Sequence, residues 1–151
     1  MSSIVKTRGA EISAIANATE DVEKVCVAIR NLMPSDLGAK AVFIQEATTG
    51  HHGNPITTVR TTFTENSDVE NLIRHIASRI SSLDRANLTD HLSQYVDQDG
   101  NLYLRFDKQA AYLRELHLRQ EDAIRIKIRF YASRHKPDVI RTIFKEIGLI
   151  S

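Results

Sequence analysis

The sequence predicts an α+β fold, a single mixed and largely antiparallel sheet with helices packed on one face. Three observations carry that expectation. Segments of period two are interleaved along the chain with segments of helical period. Two pairs of period-two segments are joined by short glycine-bearing turns, which makes them antiparallel hairpins and disfavours a doubly wound parallel sheet. The 151 residues, 42% hydrophobic and 26% charged, are enough for one well-buried domain and too few for two comfortable ones. Residues 1–151 are therefore read as a single domain, with the C-terminal helix, 136–151, the stretch that could lie at its periphery.

The elements follow in order. Residues 10–18, "AEISAIANA", alternate loosely and give a first strand. "TEDVEKVCVAIRNLMP" is the first helix: Thr19 is placed to cap it, three acids sit in its first turn, and Pro34 stops it. "AVFIQEAT" (41–48) and "ITTVRTTF" (56–63) are β-branched runs joined by "TGHHGNP", a hairpin with a glycine-rich tip. Ser67 and Glu70 form a capping-box pattern ahead of an apolar face of Val69, Leu72, Ile73, Ile76, Ile80 and Leu83. The pattern loosens near Asp84–Asn87, which leaves two helices or one kinked helix open. "QYVDQDGNLYLRF" reads as a second hairpin turning on Asp99-Gly100. A short helix, 108–114, leads to Leu116, and "AIRIKIRFYA" (123–132) is the clearest strand. Pro137 opens a last helix with an apolar stripe of Ile140, Ile143, Phe144 and Ile147, ending at Gly148.

Charge is unevenly spread. Residues 1–100 hold 9 Lys/Arg against 13 Asp/Glu, a balance of −4; residues 101–151 hold 11 against 6, a balance of +5, and the two return the formal +1. A basic C-terminal third hints at an anionic partner. No apolar run approaches the ~20 residues that span a bilayer, and "MSSIVKTRGAE" has no signal-peptide core, so a cytoplasmic protein with no membrane partner is expected. Cys26, the one cysteine, falls on the apolar side of the first helix and reads as core. His51 and His52 are adjacent and would point to opposite faces of a strand, with no third ligand at a suitable spacing, so no metal and no cofactor are expected. The sequence contains no glycine-rich phosphate loop, no Ser-His-Asp order and no paired-carboxylate signature.

The late strands show their faces. Ile124, Ile126, Ile128 and Phe130 share one side of "IRIKIRF", and Arg125, Lys127 and Arg129 the other. In "LYLRF", Leu102, Leu104 and Phe106 point inward and leave Tyr103 and Arg105 outward. Should the two strands be neighbours, four cations and one ring would line an open face fit for phosphates and a stacked base. A half-buried strand also needs polar residues on its wet side, so a merely solvated face is the competing reading. At the junction that follows, Asp107 reads as the cap of the short helix and Lys108 as an exposed lysine beside the basic sheet; an acid–base role for this pair lacks a partner.

Several segments together resemble a known family. "ATEDVEKV" after the first strand, "GHHGNPI" at the hairpin tip, and "LYLRFDKQAAY" followed by "ELHL" and "IRIKIRF" are similar to an archaeal family of RNA-binding proteins. Its members are exosome-associated by prediction, and their fold is likened to double-stranded-RNA-binding domains and to the large-subunit ribosomal protein that binds 5S ribosomal RNA. The similarity runs from Glu11 to Arg129. The signature falls on Thr19, Glu20 and Asp21, on His51, His52, Gly53, Asn54 and Pro55, and on Arg105, Lys108, Gln109 and Ala110. The family pattern has a glycine shortly after the KQAAY segment, where this chain carries Arg114 before Glu115.

The resemblance implies a non-catalytic RNA-binding accessory protein linked to RNA processing or degradation. Its contacts would come from Tyr103, Arg105, Lys108, Arg125, Lys127 and Arg129. The expected partner is structured or double-stranded RNA, with an RNA-processing complex and a homodimer as further candidates. The alternative is a protein-interaction or self-associating subunit that uses the stripe of the last helix and makes no direct RNA contact.

Overall fold

The computed structural model describes residues 6–50, 52–130 and 137–151, so His51 and the 131–132 end of the last expected strand lie outside the described residues. Five strands, β1 (Thr7–Ala16), β2 (Ile44–Thr49), β3 (Pro55–Phe63), β4 (Leu102–Asp107) and β5 (Ala123–Phe130), form one sheet in the order β2-β3-β1-β5-β4. Every pairing is antiparallel. Helices α1 (Val22–Arg30), α2 (Ser35–Lys40), α3 (Asn66–Arg79), α4 (Ser82–Asp90), α5 (Lys108–Tyr112) and α6 (Pro137–Glu146) complete the α+β fold.

Alternation decides which side of the sheet is covered. Ala10, Ile12 and Ala14 of β1 stand opposite Phe63, Thr61 and Val59 of β3; Ile12 is also opposite Ile126 of β5, itself opposite Leu104 of β4. All of these are buried, and α1 and α3 lie on the central strand. The buried residues form one cluster running from Ala10 to Ile150. Helix α6 joins it: Phe144 is 1% exposed, Ile140 and Ile147 are buried, and the Phe144 ring sits 5.4 Å from that of Phe130. Just beyond, the Arg85 guanidinium donates to the carbonyls of Gly148 and Ala77. The apolar stripe that the sequence offered to a partner is thus spent on the core, apart from half-buried Ile143.

Several local expectations change. Asp21, not Thr19, caps α1 by accepting from the Glu23 N–H at 2.9 Å. Pro34 ends no more than a turn; it is itself the N-cap of α2, a helix that the sequence reading lacked. Helix α3 begins at Asn66, so the Ser67–Glu70 box is already inside the helix, and the Asn66 carboxamide oxygen accepts instead from the backbone and hydroxyl of Thr7 at 2.8 and 2.9 Å. Of the two readings left open near Asp84–Asn87, two helices is the outcome, but the break is earlier, at Ile80–Ser81, with Ser81 capping α4 through the Asp84 N–H. Leu83 is consequently turned outward, 78% exposed. The second hairpin has only one true strand. Its first arm is a 3-10 turn, Leu92–Gln94, and a single bridge from Val96 to Leu102.

Candidate nucleic-acid interface

The side of the sheet away from the helices carries the odd-numbered residues of β4 and β5 and those of β1 from Gly9 on, a register shift between Thr7 and Gly9 turning Thr7 to the core. Strands β4 and β5 are neighbours, with Arg105 opposite Arg125 and Tyr103 opposite Lys127. On the other side of β5, Arg125 stands opposite Ser13, Lys127 opposite Glu11 and Arg129 opposite Gly9. Beyond β1 the row continues through Arg60 of β3, opposite Ser13, to Ile44 of β2. Cross-strand neighbours are about 4.8 Å apart and same-face neighbours along a strand about 6.6 Å apart, so these cations form one patch.

Tyr103 lies at its centre. Its ring centroid is 5.4 Å from Lys127 Nζ, 5.7 Å from Arg125 Cζ and 6.0 Å from Arg105 Cζ, within the range of cation–π attraction. Two cations of the face are neutralised locally: Arg125 by Glu11 and Arg60 by Glu46, each at 3.1 Å. Among the described residues, Arg105, Lys127 and Arg129 have no carboxylate partner. Two unneutralised cations beside the ring, Arg105 and Lys127, and a third on the same face of β5, Arg129, leave an unbalanced positive field over this half of the sheet.

Lys108 does not belong to that patch. Asp107 does cap α5, accepting from the Ala110 N–H at 2.7 Å, but the lysine beside it is only 9% exposed rather than open to solvent. Its ammonium donates to the Ile15 carbonyl at 2.9 Å, to Glu20 at 2.8 Å and to Asp122 at 2.7 Å. Three N–H groups meet three acceptors, which leaves none for a phosphate. The physical reason is topological: the first residue of α5 enters behind the end of β1, where a carbonyl and two carboxylates converge. Burial would raise the Glu20 carboxyl, but the Lys108 hydrogen bond and the Asn17 donors outweigh it and hold it below its ordinary value. The Asp122 carboxyl is held low chiefly by its bond from Lys108, against the opposing effect of burial.

Beside this knot is an open cleft of about 550 Å³ between the start of α1, α5 and the segment 119–122. Thr19, Glu20, Asp21 and Gln109, all in segments singled out in the sequence, line it together with Lys24, Tyr112 and Arg119. Lys24 and Tyr112 lie in the same segments but were not named as site residues, and Arg119 lies outside them, because nothing local shows that residues 20, 108 and 122 converge. The hairpin tip is elsewhere. His52, Gly53, Asn54 and Pro55 are exposed, Gly53 has φ 80°, and the turn is closed by the Gly50 N–H donating to the Asn54 carbonyl at 2.6 Å. Among the described residues, no group of His, Cys, Asp and Glu could hold a metal ion, and no helix is long and apolar enough to cross a membrane.

Comparison with known proteins decides the family. A family model described as RNA binding matches residues 9–130. The chain belongs to this RNA-binding family. The RNA-binding protein PAB1135 of Pyrococcus abyssi is 32% identical over 148 residues, covering 97% of this chain and 96% of its own length. Protein AF2318 of Archaeoglobus fulgidus superposes with a TM-score of 0.80 at 26% identity, over 94% of this chain and 99% of that one. Mth689 of Methanothermobacter thermautotrophicus gives 0.76 at 29%, over 94% and 98%; both are DUF54 proteins. The matched region contains β2 to β5, all of β1 but Thr7 and Arg8, and the cations Arg60, Arg105, Arg125, Lys127 and Arg129.

Proposed function

We propose that the protein binds RNA backbone through the open sheet face, with Arg105, Lys127 and Arg129 contacting phosphates and Tyr103 holding them in place. The observation that carries this is the presence of three cations without carboxylate partners on one face of a chain of the RNA-binding family. Arg125 contributes less, because Glu11 already occupies it. Lys108 acts by support alone.

Three cations crowd the Tyr103 ring, so this face offers charge rather than a free stacking surface, and recognition through it favours the shape and backbone of structured RNA. The reading is of a binding protein and not an enzyme. Lys108, the residue an acid–base role would draw on, has its donors engaged. Work within an RNA-processing assembly is the context that the family resemblance supports.

Titration of a structured RNA by fluorescence anisotropy at two salt concentrations tests the proposal. Wild-type affinity should fall steeply with salt, and the triple substitution Arg105→Ala, Lys127→Ala, Arg129→Ala should lower the salt slope by about 2 to 3 and the affinity by more than tenfold. A triple variant that binds like wild type would show that the face is only solvated.

A further inference from the structure

The cleft beside the Lys108 knot has a chemistry that backbone binding leaves unexplained, and Asp107 and Arg119 of its lining adjoin the open face. Asp107 is two residues beyond Arg105 on β4, about 6.6 Å along the strand and on the same side. Arg119, which lines the cleft, donates its backbone N–H to the Arg105 carbonyl at 2.9 Å and ion-pairs with Asp107 at 3.2 Å. A strand of RNA lying along Arg129, Lys127 and Arg105 is thereby led to the mouth of the cleft.

Inside, the charge balance reverses. Glu20, Asp21, Asp107 and Asp122 face Lys24, Lys108 and Arg119, and Lys108 has no N–H to spare. Such a lining disfavours a phosphate and suits an uncharged group rich in donors. Tyr112 is 41% exposed at the rim, with Lys24 Nζ 6.0 Å from its ring centroid. The Gln109 side chain is exposed, bonds to no described residue and carries both donor and acceptor, as reading a base edge requires. The volume of about 550 Å³ lies within the range of small-ligand sites.

The wall includes Asp122 in the left-handed region, φ 49°, which aspartate tolerates, with its carboxylate accepting from Lys108 and Asn17.

We infer that the cleft receives one unstacked nucleotide of the bound RNA. Its base would lie on Tyr112, its edge would meet Gln109, and its ribose hydroxyls would donate to carboxylates of the lining. This rests on the RNA-binding reading and narrows it: the ligand is a duplex bearing an unpaired nucleotide, not a closed duplex, and the 2′-hydroxyl favours RNA over DNA at that position.

The test compares three RNA probes by anisotropy: a blunt duplex, and the same duplex with one unpaired nucleotide at its 3′ or its 5′ ends. One of the overhang duplexes should bind about tenfold tighter than the blunt one, the size of a single base–aromatic stack. Tyr112→Ala, and separately Gln109→Ala, should bring that duplex down to the blunt-duplex affinity, and a 2′-deoxy unpaired nucleotide should lose part of the gain. Equal binding of all three duplexes, or an advantage that survives Tyr112→Ala, would overturn the cleft assignment and leave the sheet-face reading standing. Absence of binding to any of the three would remove both.

Discussion

At the scale of single residues, two positions show what a sequence hides and what it shows. Arg114 has φ 66°, at the left-handed position that closes α5. There the Glu115 N–H donates to the Ala110 carbonyl and the Arg114 N–H to that of Ala111, an ending that glycine makes without strain. Arg114→Gly should therefore stabilise the fold by about 1 kcal/mol and raise Tm by about 2–4 °C in calorimetry. The resemblance puts the local turn at Arg114 in question, and the structure shows a left-handed residue there. The surroundings of Lys108 were not legible in the chain, because a lysine at the first position of a short helix reads as surface, and two of its acceptors are 88 and 93 residues away. Lys108→Met should cost roughly 2–3 kcal/mol in urea unfolding, less than a fully buried pair because side chains of Glu20 and Asp122 keep 30% and 56% of their exposure. Both carboxyls lie below their ordinary values in the folded chain, so the stability they add is present above about pH 5 and is lost as pH falls through their folded values. Wild type should thus lose stability on acidification towards about pH 3 by a larger amount than Lys108→Met does, as urea midpoints across that range would record.

At the scale of elements, strands were easier to read than helix starts. Period two in "IRIKIRF" and "LYLRF" states both the fold-facing and the open side, and the structure places the two strands next to each other. Helix boundaries depend on which of several cap-competent residues wins, and that choice is made by tertiary partners. Helix α3 starts with no side-chain cap, and its first residue, Asn66, is tied instead to β1, 59 residues away, a contact no local pattern encodes. Asn66→Ala should cost about 1–2 kcal/mol, measurable as a lowered urea midpoint, since two donors of Thr7 lose their acceptor. Helix α2 escaped notice because Pro34 serves equally well as the end of one helix and the cap of the next. The two edges of the sheet also differ. Strand β4 is sealed by backbone bonds from Tyr103 to Tyr95, Arg119 to Arg105 and Asp107 to His117, whereas β2 is exposed along its whole length.

At the scale of the whole molecule, the sheet separates two jobs. One side is filled with aliphatic and aromatic residues and closed by helices. The other gathers cations drawn mainly from the basic C-terminal third of the chain. Helix α6 falls on the core side, so Phe144→Ala should cost about 3–5 kcal/mol in global unfolding and not loosen the last helix alone. The ion knot at Lys108 has a meaning in time as well as in space. Its acceptors come from the end of β1, the turn before α1 and the residue before β5, so it can close only after β1, β4 and β5 have found their register. An interaction made after the folding barrier leaves the folding rate alone and slows escape from the native state. In stopped-flow chevrons Lys108→Met should accelerate unfolding while refolding proceeds at the wild-type rate, which makes this lysine a latch on the lifetime of the fold.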